Sequence, residues 1–224
     1  MALSINNSHF GPKAVTNGLV LALDAGNTKS YPGSGATWTD RSGRNNNGTL
    51  INSPSFSNGY ITFNGSTQYG TISGAPLNVS NYTKSVWFYL NATADNNLLS
   101  KDDGANTGHY MFFNGSSKLY CGHTSWVGFP TTYPSNANFS NSRWYNVALT
   151  FNTTDGMSLY INGVLDSTFT TYKTAPVGTG CNIGSYGTGN LLNGRIAQAF
   201  IYNRTLTASE IRQNFNATRG RFGI

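Results

Sequence analysis

The sequence predicts an all-β sandwich carrying a short C-terminal helix, and three observations carry that prediction. Tyr145, Val147, Leu149 and Phe151 alternate with Trp144, Asn146, Ala148 and Thr150, and Met157, Leu159 and Ile161 repeat the alternation, which is the period of a half-buried strand. Asn-Gly pairs at Asn64-Gly65, Asn114-Gly115 and Asn162-Gly163 punctuate such runs, and tight hairpin turns favour that pair because both central residues must tolerate positive φ. Charged residues make up only 10 % of the chain and aromatics 13 %, which suits a folded β protein with frequent turns better than a disordered one. A length of 224 residues fits one such sandwich.

Residues 1–16 lack periodicity and contain Gly11-Pro12, so they read as an extended arm. It is either a loose end or a segment docking on a neighbouring subunit through Ile5 and Phe10. LVLALDA reads as a buried strand ending at Asp24, and a long turn-rich loop with Trp38 and Asp40 in its middle follows. YITFNGSTQYGTI predicts two short strands joined as a hairpin at Asn64-Gly65. From Tyr82 to Leu90 runs a strong strand, with Val86, Phe88 and Leu90 on one face and Trp87 and Tyr89 on the other. After it come a strand, an acidic loop at Asp102-Asp103, a second strand, the Asn114-Gly115 turn and a third strand.

His123 to Phe139 is aromatic and Pro-rich without alternation, the mark of a long surface loop of the kind that often carries function. The meander from Trp144 then leads through a Gly-rich passage into LLNGRIAQAFIYN. Thr207 and Glu210 have capping-box spacing, and Ile211 and Phe215 share the face of a short helix. The domain is thus expected over 17–217, with 218–224 as a tail.

The formal charge of +6 is spread along the chain without a basic block, which argues against a nucleic-acid surface. No apolar run reaches the roughly 20 residues of a membrane helix, and the N-terminus lacks the basic and apolar regions of a signal peptide. Cys121 and Cys181 read as buried free thiols, with a single bridge as the alternative.

GLVLALDAGNTKSYPGSG, ITFNGSTQYGTI, WYNVALT, LYING and LLNGRIAQAFIYNRTLTASEI, in that order, resemble a laminin-G-like domain of the concanavalin A-like lectin/glucanase superfamily. The resemblance runs from about Gly18 to Ala217 and implies a jelly roll of two antiparallel sheets. It is closest in kind to domains of tailed-bacteriophage virion structural proteins. That implies a capsid-decoration or tail-associated protein, made in a host cytoplasm, with itself and other virion proteins as partners. Adhesion to cell-surface glycans is a possible second use, and a lectin proper is the alternative.

Glycoside hydrolysis normally needs two carboxylates flanking one bond. The acids are Asp24, Asp40, Asp95, Asp102, Asp103, Asp155, Asp166 and Glu210, and the paired-Glu strand of the glucanases is missing, so no enzymatic activity is expected. Calcium, which many laminin-G-like domains hold, would find its best oxygen supply at Asp95, Asp102 and Asp103, with Asn96, Asn97 and Asn106 nearby. A solvated acidic turn explains the same residues. Trp126, Phe129 and Tyr133 with His123, and Tyr186 in its Gly-rich stretch, have the character of a sugar-stacking surface or a subunit interface. Trp38, Trp87 and Trp144 are expected in the core.

Overall fold

The structure, a computed structural model, describes residues 12–224 other than 75, 78, 79, 93, 102–107, 124–132, 172, 174, 177 and 178. In chain order the strands are β1 (Leu19–Asp24), β2 (Thr37–Trp38), β3 (Gly48–Ile51), β4 (Ser55–Ser57), β5 (Tyr60–Asn64), β6 (Tyr69–Ile72), β7 (Asn81–Leu90) and β8 (Asp95–Asn97). They continue as β9 (Leu99–Ser100), β10 (His109–Asn114), β11 (Tyr120–His123), β12 (Trp144–Asn152), β13 (Gly156–Ile161), β14 (Val164–Phe169), β15 (Asn182–Ile183) and β16 (Asn193–Tyr202). Helix α1 (Ala208–Thr218) and a 3₁₀ turn at Arg219–Phe222 close the chain.

Two antiparallel layers result, as the sequence predicts. The back sheet runs β14-β13-β12-β7-β16-β5-β4, with β1 beside β16. In the front layer β2-β3-β6-β15-β9 meets β11-β10-β8, because Leu98 N–H donates to Met111 O and Lys101 bridges His109. Apolar side chains of alternate residues fill the space between. Val86, Phe88 and Leu90 of β7 meet Val147, Leu149 and Phe151 of β12 from one layer, and Met111, Phe113 and Ile183 from the other. Such burial is the main favourable term in folding.

The Asn162-Gly163 turn is as expected: both residues have positive φ, 50° and 76°, and β13 pairs with β14. Asn64-Gly65 is not a hairpin. Strand β5 pairs with β4 and β16 in the back sheet, whereas β6 pairs with β3 and β15 in the front layer. The turn therefore carries the chain from one layer to the other, with Asn64 Oδ1 accepting the N–H groups of Ser66, Thr67 and Gln68. Strand β16 likewise does not extend the meander but crosses to the far side of β7.

The outer face of the back sheet has a third, thin cover. Thr207 and Glu210 form the capping box, and Ile211 and Phe215 turn the helix onto the sheet. The last residues, read from sequence as a tail, pack as well: the Phe222 ring stacks 3.9 Å from that of Trp87. Residues 1–11, with Ile5 and Phe10, lie outside the described chain. The arm's end at Val15 docks on its own subunit, where its N–H donates to Asn214 Oδ1 and its carbonyl accepts from the Tyr202 hydroxyl.

Candidate functional site

The residues expected at a site do not converge among those described. Trp126, Phe129, Asp102 and Asp103 fall outside the described residues. His123 needs correcting, because it is 1 % exposed between the layers, with Nε2 on the Tyr82 hydroxyl, and cannot meet a surface ligand. Tyr133 is half-buried with its ring 5.1 Å from that of Phe169, and Tyr186 forms an isolated bridge to Gly189.

Asp95 is exposed at the start of β8. The amides beside it are already committed: Asn96 Oδ1 accepts the Asn193 N–H and Asn97 Oδ1 accepts the Ser100 hydroxyl. Among the described residues no group of three His, Cys, Asp or Glu could hold a metal.

A polar cluster missed in the sequence lies inside the sandwich. Lys84 is fully buried, and its Nζ donates to Leu99 O at 3.0 Å and to His109 Nδ1 at 2.9 Å. His109 Nε2 faces Gly180 O at 2.8 Å. A carbonyl only accepts, so Nε2 carries the proton and Nδ1 is left to accept from Lys84, which fixes a neutral imidazole. Burial pulls the Lys84 amine down to about 8 and, with Lys84 alongside, holds His109 well below the ordinary histidine range. Two donors of the amine meet two acceptors here. With no surface exposure, this cluster is a structural polar pin in the core.

The surface with binding chemistry is on the back sheet. Strand β7 sends Val86, Phe88 and Leu90 inward, which forces Tyr89 outward, and β12 turns Trp144 outward by the same alternation. In β16 a bulge between Ile196 and Gln198 resets the alternation so that Arg195 faces outward too. Register then lines up Thr62, Arg195, Tyr89 and Trp144 as direct partners across four strands. Tyr60 leans over this row with its ring 5.5 Å from that of Trp144, and Phe222 closes the end at 4.9 Å. The Arg195 guanidinium carbon sits 4.3 Å from the Tyr89 ring centre and 4.9 Å from that of Tyr60.

Tyr60, Tyr89, Trp144, Arg195 and Phe222 are all partly exposed. Trp144 thus departs from the core position expected for it, whereas Trp38 and Trp87 are buried. The front layer also turns aromatics outward: Tyr110, Phe112 and Tyr120 lie 5.3 and 5.6 Å apart in succession. Tyr110 is 1 % exposed, folded over Gly122, so that row offers less open ring surface.

A laminin-G-type family profile matches residues 64–212, from the end of β5 into α1, and takes in β7, β12 and β16. The chain belongs to the concanavalin A-like lectin/glucanases superfamily. No curated protein sequence matches it. In fold this superfamily member is similar to the Trypanosoma rangeli sialidase in complex with the inhibitor DANA, with TM-score 0.71 and 18 % identity over 91 % of this chain and 33 % of that one. It is also similar to domain 4 of AbnA, a GH43 extracellular arabinanase from Geobacillus stearothermophilus in complex with arabinotriose. There the TM-score is 0.68 at 15 % identity, over 88 % of this chain and 98 % of that one. A third similar fold is the binding domain of Paraclostridial Mosquitocidal Protein 1, with TM-score 0.64, 19 % identity, and 90 % and 52 % of the two chains covered.

At such identities the likeness concerns the fold, and the chain spans about a third of the length of the sialidases it matches. One expectation is corrected. The chain was expected to stand apart from enzymes for want of a glucanase carboxylate pair, yet its fold is carried within sialidases and an arabinanase. The missing pair does not separate this superfamily member from enzymes. The comparisons favour the lectin-like alternative and give the virion setting no support.

Proposed function

We propose that this domain binds carbohydrate, with the sugar ring stacking on the outward platform of Trp144, Tyr89 and Tyr60 beside Arg195. One observation carries the reading: four neighbouring strands bring a partly exposed indole, two phenol rings and a guanidinium into one row. Sugar recognition needs a flat apolar face for the ring's C–H groups and a few placed polar groups for its hydroxyls. The rigid sheet supplies both without ordering a loop on binding, which lowers the entropic cost. A lectin-like fold shared with the arabinotriose-bound domain supports the same reading.

A glycan array followed by calorimetry tests it. Trp144→Ala is expected to weaken binding at least tenfold, about 1.4 kcal/mol, while the far-ultraviolet spectrum is unchanged. Trp126→Ala probes the competing aromatic loop. Loss of binding there, with Trp144→Ala unaffected, would move the site to that loop. The virion setting implied by the resemblance is independent of this proposal, and mass spectrometry of purified particles tests it.

A further inference from the structure

We infer that the platform selects acidic sugars, with Arg195 holding the ligand's carboxylate; this rests on the carbohydrate-binding reading above. Arg195 is short of hydrogen-bond partners. Its side chain is partly buried, and its Nε is out of contact with solvent and has no hydrogen-bond partner. Among the described residues no carboxylate comes within ion-pair distance of it. Elsewhere Arg204 pairs with Glu210 at 2.5 Å and Arg221 with Asp24 at 2.9 Å.

Arg195 is held by ring faces instead, those of Tyr89 and Tyr60. Ring faces attract a cation but do not occupy its N–H donors, which lie at the guanidinium edge. The group is therefore fixed in place and short of acceptors. A guanidinium fork matches a carboxylate with two parallel hydrogen bonds, a geometry a neutral hydroxyl cannot reproduce. Across the row, Trp144 offers the face on which the same sugar's ring would stack. The combination fits a pyranose bearing a carboxylate, such as a uronic or sialic acid. The positive formal charge of the whole chain favours approach of such a ligand.

Stem packing against two tyrosines would by itself keep Arg195 in place, so the test must separate charge recognition from packing. Matched pairs serve this purpose: galacturonate, glucuronate and sialyllactose oligosaccharides, each against its neutral methyl ester, titrated by calorimetry at low and high salt. The wild-type chain should bind at least one acid tenfold more tightly than its ester, with the preference shrinking as salt is added. Arg195→Met keeps the stem and removes the charge, and should abolish the preference for acid over ester. Arg195→Lys, with charge but no fork, should fall between.

Acid and ester bound equally by the wild type would overturn the inference and leave the carbohydrate-binding reading standing. So would a preference that survives Arg195→Met. Failure of every acid, ester and array glycan to bind would instead sink the carbohydrate-binding reading itself.

Discussion

The amine of Lys84 and the imidazole of His109 share a hydrogen bond of 2.9 Å inside the sandwich, with neither side chain reaching water. Lys84 comes from the back sheet and His109 from the front layer, so the pair pins the two layers together. Burial disfavours charge on both.

Stability should therefore rise in the alkaline range. The Lys84 amine titrates near 8 when folded and near its ordinary 10.5 when unfolded. Between those values the unfolded chain binds more protons, so raising the pH favours the folded state. The relief is absent below about pH 8, complete above about pH 10.5, and worth up to about 3 kcal/mol. His109, Cys121, Cys181 and the Tyr82 ring also lie around the amine, so the wild type is compared with Lys84→Met. Denaturant unfolding at pH 7.5 and 9.5 measures it. The wild type should gain on the variant, and a constant difference would contradict the linkage.

Cys121 and Cys181 should be unreactive in the folded protein. Both are free and fully buried, and burial pushes their thiols up to about 12 and about 11. Because the thiolate is the nucleophile, neither can react until the sandwich opens. A disulfide-exchange reagent at pH 8 should label neither within minutes, and label both in denaturant. Rapid native labelling of either would contradict the packing.

Gly194→Ala should damage both fold and platform. A Cβ at this position would lie 2.3 Å from the backbone oxygen of Tyr89, across the pairing that carries Arg195. Two strands must separate to admit the methyl, a cost of about 1–3 kcal/mol. Urea unfolding should show that loss, and sugar affinity should fall with it. A variant as stable as the wild type would disprove the close approach.

Removing the helix cap should be milder. Thr207 Oγ1 accepts the Glu210 N–H, and Glu210 reaches back to the Thr207 N–H at 2.9 Å. Thr207→Ala should cost about 1 kcal/mol. Arg204 draws the Glu210 carboxyl down to about 2, so its contribution is present above the ordinary 4.5 and lost as pH falls through 2. Acid unfolding compared with Glu210→Gln tests the sign.

The strands were legible in the sequence because the core speaks in alternation. Val86, Phe88 and Leu90, like Val147, Leu149 and Phe151, declare an inward face, and Thr207 with Glu210 marks the helix start. Layer assignment was not legible at Asn64-Gly65, since one dipeptide serves either a hairpin or a crossover. Alternation put Tyr89 on the face opposite Val86, Phe88 and Leu90 and could have placed Trp144 outward too, but the aromatic character of Trp144 points to a core. Arg195 was hidden by the bulge. Counting back from the outward Phe200 and Gln198 puts it inside, and only the register shift at Ala197 brings it out. Lys84 was hidden by its own charge, because a lysine in a strand is ordinarily read as exposed.

The most direct test of the platform is to watch it while sugar is added. In a ¹⁵N–¹H correlation titration with the best array ligand, the Trp144 indole and Arg195 Nε–H resonances should shift together with the backbone amides of Tyr89 and Tyr60. Shifts confined to residues 120–133, with Trp144 and Arg195 unmoved at saturation, would contradict it.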